Sequence, residues 1–390
     1  MDSSHRLAPD VLVPRRRGSG PRVAFYSHDT QGLGHVRRNS LLAAAMVDAH
    51  PDVNVLLLSG AAEAGALPLP DRTDIVTVPG LYKDVAGRYH ARSMDSSLEQ
   101  VLAVRSFALE SVLVNFAPDL LVVDKVPLGI LGELEQGLRR VRREHGTRTV
   151  LGLRDVLDDV ETTRREWRQS GSRAAIQSLY DQVWVYGDRA VFDPAEVYGW
   201  TPEVREKVRY TGYLGAGRER LLPVRSDSHG APSVCGDIPR PFVLGPVLSP
   251  ADEDFEAVEK LAHDRDDLRV HRFVGDVPAL VKASSATVSM GGYNSVCELM
   301  AARRPALVVP RVVPRLEQAL RAEHLARRGL VDVLGADRLE PARLTAWLRD
   351  AVAGSRRSFT GVDLQGLERV PGLALDLIDE LPREGARHAG

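Results

Sequence analysis

Two stretches of this sequence bring together residue types that can move a proton and hold an anion. The first is Ser-His-Asp-Thr-Gln-Gly-Leu-Gly-His, residues 27 to 35, which follows an apolar run and leads into the helical pattern LLAAAMVDAH. An imidazole at the mouth of a cleft accepts a proton near neutral pH, so His35 is the first candidate for a general base, with Asp29 second and His28 offering the same service. Gly32 and Gly34 allow a tight turn, and the unpaired N–H groups of the helix that follows can approach an anionic or polar ligand. The same glycines also suit any strand-to-helix turn that needs a positive φ.

The second stretch runs from 290 to 334, MGGYNSVCELMAARRPALVVPRVVPRLEQALRAEHLARRGLVDVL. A strand ends in Gly291-Gly292, a helix begins near Asn294, and Ser295 and Glu298 lie in its first turns. Val296, Leu299 and Met300 form the apolar stripe of that helix, which turns Glu298 away from the core. Ser295-x-x-Glu298 also has the spacing of a capping box, in which the glutamate would serve a backbone N–H instead of a ligand. The next strand ends at Arg311, and the helix after it starts with Glu317-Gln318, a second polar pair on the same edge.

The elements that must position these groups are legible as an alternation of short β-branched runs with longer helical patterns. The runs fall at 22–27, 53–59, 119–124, 148–153, 182–187 and 208–214, then at 242–247, 268–273, 286–290, 305–310 and 331–334. Strands apolar on both faces belong to parallel sheets covered by helices on each side, so the expected fold class is α/β, with two doubly wound Rossmann-like domains facing a cleft. The expected organisation is an N-terminal arm at 1–20, a first α/β domain at 21–214, a linker at 215–241, a second α/β domain at 242–354, and a tail at 355–390 with one helix near 370–381. In open α/β sheets ligands sit beyond the carboxyl ends of the strands, which is where both polar stretches lie.

Composition narrows the function classes. The chain has 390 residues, more than one core usually supports, with 44% hydrophobic and 27% charged residues and a formal net charge of −2. Near-neutrality argues against a nucleic-acid binder that works by neutralising phosphates. Cys235 and Cys297 are far apart and lack metal-ligand spacing, so no disulfide framework or metal site is expected and a reducing, cytoplasmic setting fits. No run reaches the length of a membrane span, and contact with a bilayer would be peripheral; Arg139, Arg140, Arg142 and Arg143 on one helix could make a basic patch for it, although a solvated helix face accounts for them better.

The stretch GGYNSVCELMAARRPALVVPR followed by LEQALRAEHLARRGL resembles the C-terminal signature of the MurG-like glycosyltransferases of the GT-B fold, with a glycosyltransferase family 28 type C-terminal domain. The resemblance covers roughly residues 22 to 350. It implies a glycosyltransferase that moves a sugar from a nucleotide-diphosphate donor, UDP-linked or dTDP-linked, to an acceptor hydroxyl with inversion and without a metal or other cofactor. It assigns Glu298 to the ribose hydroxyls, Gly291, Gly292, Asn294 and Ser295 to the diphosphate, and Glu317 with Gln318 to the donor sugar, with Arg311 a nearby cation. Gly32, Gly34 and His35 look like the family's acceptor-side glycine turn. The acceptor, a small molecule or a lipid-linked one, would meet variable loops such as GLYKDVAGRYHARS at 80–93. The chain departs from the family in having no second glycine-rich turn after its linker, so the second domain is expected to be about one βα unit short. The alternatives of the same fold are a sugar-nucleotide epimerase or hydrolase, or a non-catalytic relative.

Overall fold

The alternation of side chains along the first strand sets the architecture of the N-terminal half. In a computed structural model describing residues 20–29, 32–84, 87–221, 243–244, 252–271, 274, 276–353 and 361–380, β1 (Arg22–Ser27) sends Val23 and Phe25 to one face of a sheet and Ala24 and Tyr26 to the other. Both faces are buried, so helices must cover both. The chain continues through α1 (Gly34–Ala49), β2 (Asn54–Ser59), β3 (Thr73–Thr77), β4 (Leu81–Lys83), β5 (Tyr89–Ala91), α2 (Leu98–Phe116), β6 (Leu120–Asp124), α3 (Glu135–His145), β7 (Arg148–Arg154), α4 (Val160–Gln169), α5 (Ser172–Leu179), β8 (Gln182–Tyr186), α6 (Pro194–Val197), α7 (Pro202–Glu206), β9 (Val208–Tyr210) and α8 (Arg218–Leu221).

Seven of these strands form one parallel sheet in the order β3-β2-β1-β6-β7-β8-β9. The order reverses between β1 and β6, and at such a switch point two crossovers leave in opposite directions and open a crevice at the strands' carboxyl ends. The edge strand β3 escapes sequence detection because TDIVT is only half buried and carries no apolar run. The 80–93 loop contains the antiparallel hairpin of β4 and β5.

The second half builds a four-stranded parallel sheet among the described residues, β10 (Val243–Leu244), β11 (Thr287–Ser289), β12 (Ala306–Val308) and β13 (Asp332–Val333). Its helices are α9 (Asp252–Ala262), α10 (Val277–Ala283), α11 (Tyr293–Ala302), α12 (Glu317–Arg327) and α13 (Pro341–Ala353). The expected strand at 268–273 does not form over 268–271, where Arg269 and His271 break the apolar run, and residues 272–273 lie outside the described residues. The expected loss of a βα unit likewise falls on 222–242 and 245–250, outside the described residues, as does Cys235; Cys297 is a buried free thiol.

The last helix, α14 (Gly366–Asp379), returns to the first domain. Leu367, Val370, Ala374 and Leu377 join the same apolar cluster as Leu41, Leu42 and Met46 of α1. The Tyr213 amide donates to the Asp363 carbonyl at 2.8 Å, so the segment before α14 docks on the end of the first sheet. The arginines of α3 do not form a free basic patch. Arg139 pairs with Glu135, Arg140 with Glu110 and Glu144, Arg142 with Asp181 and Arg143 with Glu144, as a solvated helix face would have them. Among the described residues no helix is long and apolar enough to cross a membrane.

Candidate active site

His35 and Asp124 meet because their strands are neighbours at the switch point. Asp124 is the last residue of β6, His35 stands in the first turn of the helix that follows β1, and His35 Nδ1 lies 2.5 Å from Asp124 Oδ2. Arg38, one helical turn further along α1, binds the other carboxylate oxygen. With Nδ1–H donating to the carboxylate, the neutral tautomer carries its lone pair on Nε2, free to accept a proton. Burial lowers the pKa of His35 and the Asp124 carboxylate only partly restores it, so the ring is neutral at physiological pH. Burial alone would raise the Asp124 carboxyl, but Arg38 and then His35 overcome it and hold the group far below the ordinary carboxylate range.

Asp29 has a different occupation. It is 1% exposed, its Oδ1 accepts from the Val36 amide at 3.0 Å, and its Oδ2 accepts from the hydroxyls of Ser27 at 2.5 Å and Ser59 at 2.8 Å. These bonds tie the turn to α1 and β2. Gly32, at φ +73°, makes the bend. His28 is buried with its ring 4.8 Å from that of His35, and burial, then His35 and Lys125, lowers its pKa well below the usual value.

The second polar stretch faces this turn. Asn294 Nδ2 donates to the Gly34 carbonyl at 3.0 Å, which places the start of α11 opposite the start of α1. Gly291 follows β11 at φ +79°, and a Cβ there would lie 2.5 Å from Val308 Cγ1 on β12. Gly291→Ala should therefore cost about 1–3 kcal/mol through backbone strain and overpacking, read as a lowered urea midpoint.

The capping-box reading of Glu298 does not hold. Helix α11 starts at Tyr293 with Gly292 as its N-cap and no side-chain capping bond, so Ser295 and Glu298 lie beyond the capping positions. Glu298 Oε1 instead accepts from Arg218 Nη1 at 2.7 Å. Arg218, 5% exposed, also donates to the Leu214 carbonyl at 2.7 Å and to Asn294 Oδ1 at 3.1 Å. The stretch read as linker thus begins with a structured turn, α8, that supports the second domain's glutamate. Burial raises the Glu298 carboxyl and Arg218 opposes the rise without cancelling it.

The second pair, at the start of α12, is equally engaged. Glu317 forms an ion pair with Arg154 at 2.6 Å, and Gln318 Oε1 accepts from the Arg311 amide at 3.1 Å. Burial would raise the Glu317 carboxyl, but Arg154, Arg321 and Lys125 bring it down to about 2. Arg315 reaches Asp158 at 2.9 Å and Glu166 at 2.7 Å, while the fully buried Arg321 donates to Asp155 Oδ1 at 2.8 Å and lies 5.7 Å from the ring centre of Tyr293. Lys125, at φ +66° beside Asp124, has its ammonium brought down to about 8, chiefly by burial and then by Arg154.

The structure thus brings Asn294 against Gly34, next to His35, and ties Glu298 to Arg218, Glu317 to Arg154 and Gln318 to Arg311. Sequence reasoning missed Asp124, Arg38, Arg154 and Arg218. A signal existed for the first and third, since Asp124 and Arg154 close the apolar runs LLVVD and TVLGLR at carboxyl strand ends. Arg218 had none, because nothing in a Gly- and Arg-rich connection marks which arginine turns inward.

Residues 249–370 match the glycosyltransferase family 28 C-terminal domain. This stretch of the chain is similar to the C-terminal domain of that family. Its matching segment is 26% identical over 128 residues to the UDP-N-acetylglucosamine–N-acetylmuramyl-(pentapeptide) pyrophosphoryl-undecaprenol N-acetylglucosamine transferase of Exiguobacterium sp., covering 33% of this chain and 36% of the relative. The enzyme of the same name from Natranaerobius thermophilus is 32% identical over 85 residues, 22% of this chain and 23% of the relative. The matches span about a third or less of the length of these curated relatives. The whole architecture is similar to Acinetobacter baumannii MurG, with a TM-score of 0.51 at 14% identity over 93% of this chain and 100% of that one. It is similar to Staphylococcus aureus MnaA in a co-structure with UDP, at 0.55 and 13% over 93% and 99%. For the glycosyltransferase VinC in complex with dTDP the values are 0.54 and 17% over 93% and 96%. These likenesses show the GT-B fold.

Proposed function

We propose that this MurG-like chain transfers a glycosyl group from a nucleotide-diphosphate sugar to an acceptor hydroxyl, with inversion and without a metal ion. The observation that carries the reading is the Asn294-to-Gly34 hydrogen bond, which sets the His35–Asp124 pair of the first domain against the glycine turn and α11 of the family 28 domain. His35 Nε2 takes the proton of the acceptor hydroxyl as that oxygen attacks the anomeric carbon, and Asp124 stabilises the imidazolium that forms. The departing diphosphate is neutralised by the Gly291-Gly292 turn and the N-terminus of α11. Glu298 binds the ribose: Arg218 occupies Oε1, and Oε2 is the oxygen that accepts from a hydroxyl. Glu317 and Gln318 meet the donor sugar in this reading, a role supported by the Arg154 and Arg311 contacts that fix both side chains. UDP and dTDP are the bases of choice, since those nucleotides are named with the similar structures of MnaA and VinC.

A thermal-shift screen against UDP, dTDP, GDP and ADP sugars identifies the donor, and product anomer analysis reports the stereochemistry. Glu298→Gln should weaken nucleotide binding by about 1–3 kcal/mol, the worth of a charge-assisted hydrogen bond, with a small change in melting temperature. A large fall in melting temperature with unchanged affinity would instead make Glu298 a structural partner of Arg218. A second reading is sugar-nucleotide epimerisation or hydrolysis, supported by the similarity at TM-score 0.53 to a putative UDP-N-acetylglucosamine 2-epimerase from Listeria monocytogenes. Consumption of a UDP-sugar with no acceptor present distinguishes it. Failure to bind any nucleotide would leave a non-catalytic relative.

A further inference from the structure

Lys125 stands at the end of β6, where the strand order of the first sheet reverses, and its backbone is held in a conformation that lysine rarely adopts. Its amide donates to the Gly152 carbonyl of β7 at 2.9 Å, and the Val126 amide donates to the Asp124 carbonyl, two residues back, at 2.8 Å. With φ +66° at the residue between them, 124–126 forms a γ-turn of the strained kind, which is found chiefly where a fold has a use for it. One strand end therefore carries both the carboxylate that holds His35 and, next to it, this lysine.

The Lys125 side chain is partly exposed, and its ammonium has no ion pair or hydrogen bond among the described residues. The charges around it are already paired: Arg38 with Asp124, Arg154 with Glu317, Arg315 with Asp158 and Glu166, and Arg321 with Asp155. At the ammonium the arginines dominate, since Arg154 acts on it more strongly than Glu317 does, and Arg315 more strongly than Glu166. Lys125 also acts on His28, whose ring centre lies 4.8 Å from that of His35. On the other side Glu166 feels both Lys125 and Lys83 of β4, and Lys83 Nζ sits 4.9 Å from the ring centre of Tyr89 on β5. Lys125 thus shares neighbours with the candidate base and with the β4–β5 hairpin, the stretch expected to meet the acceptor. An ammonium with three uncommitted N–H donors in a positive local field complements an anion. It balances one charge, as on a carboxylate, whereas a diphosphate calls for guanidinium forks and those here are committed.

We propose that Lys125 selects the acceptor: the hydroxyl that His35 deprotonates belongs to a hydroxylated carboxylic acid, and the Lys125 ammonium binds its carboxylate. The inference rests on the glycosyl-transfer reading and adds the acceptor class to it. A neutral acceptor of the same shape strips water from the ammonium and returns no charge, so it binds less well than the acid. The preference has a pH limb. Burial and then Arg154 bring the ammonium down to about 8, with Arg315 adding to the fall and Glu317 and Glu166 opposing it. The charged form is the one that binds, so the preference for the acid holds below about 8 and fades as the pH rises through the lysine's pKa, which a bound carboxylate moves upward.

The full chain with UDP present, titrated by saturation-transfer NMR with glucuronate, galacturonate and 4-hydroxycinnamate and with the methyl ester of each, should bind at least one acid about tenfold more tightly than its ester. Lys125→Met should lose that preference while its affinities for UDP and for the ester stay unchanged. Lys125→Arg should keep the preference, and keep it well above pH 8 where the native chain loses it, because a guanidinium stays charged. Glucose 6-phosphate and inorganic diphosphate form the separating arm, with UDP occupying the donor side. Equal binding of every acid and its ester, a preference that survives Lys125→Met, no binding of any acid, or tighter binding of the phosphates would each overturn the proposal and leave glycosyl transfer standing. Failure of every nucleotide in the thermal-shift screen would instead strike the glycosyl-transfer reading, and this proposal with it.

Discussion

His35→Ala should lower turnover by about 10²- to 10⁴-fold while leaving nucleotide affinity nearly unchanged, because a general base acts on the acceptor and not on the donor. Asp124→Asn is the more telling companion. The amide keeps the size of the side chain but can present its oxygen or its nitrogen to Nδ1, so the ring loses its fixed tautomer and the anion that stabilises the imidazolium. A loss of similar order is expected, again in turnover more than in nucleotide binding. The pH dependence carries a sign. His35 works as the neutral ring and its pKa lies below the usual 6.5, so the acid limb of kcat/KM should fall below that value and activity should be level above it. Removing the Asp124 carboxylate removes the group that raises that pKa, so the acid limb of Asp124→Asn should move to still lower pH. An equal loss of donor affinity in His35→Ala would assign the ring to the fold or the diphosphate.

The largest loss of stability should come from a buried ion pair beside β1 of the first sheet. Arg105 and Glu133 are both wholly buried, with Arg105 Nη2 donating to Glu133 Oε1 at 2.6 Å and its Nε to Oε2. Arg105 also serves the Pro79 carbonyl, and Tyr26 of β1 donates to Glu133. Arg105→Leu removes the only cation of this group and leaves a carboxylate in an apolar interior. The expected cost is about 3–5 kcal/mol, measured as a fall in the urea midpoint. Glu133→Gln/Arg105→Met, which withdraws both charges, should recover much of that loss. A single variant that unfolds at the wild-type midpoint would show that water reaches the pair.

The strands of the first sheet were legible because each is apolar on both faces over several residues, as in LLVVD and QVWVY, a pattern that only burial between helices explains. β3 was not, since an edge strand needs an apolar face on one side only and TDIVT alternates too weakly over five residues. The tail helix was expected from Val370 because proline favours the first helical turn, whereas it begins at Gly366 with Pro371 inside it. Packing of Leu367 and Val370 on α1 outweighs the amide that the proline lacks.

Local chemistry therefore determined which residue types could act: a histidine after a glycine turn, a glutamate on the helix after another, and the strand ends that present them. What tertiary structure alone decided was which of those groups remain available. Sequence ranks His35 ahead of Asp29 without showing their partners, whereas in the fold Asp29 accepts from Ser27, Ser59 and the Val36 amide and His35 is turned toward Asp124, 89 residues away. Glu298 likewise reads as a cap until Arg218, 80 residues earlier, is found beside it. A side chain's role follows from its partners, and partners brought together by strand order and domain packing are separated in sequence by whole βα units, beyond the reach of any local pattern.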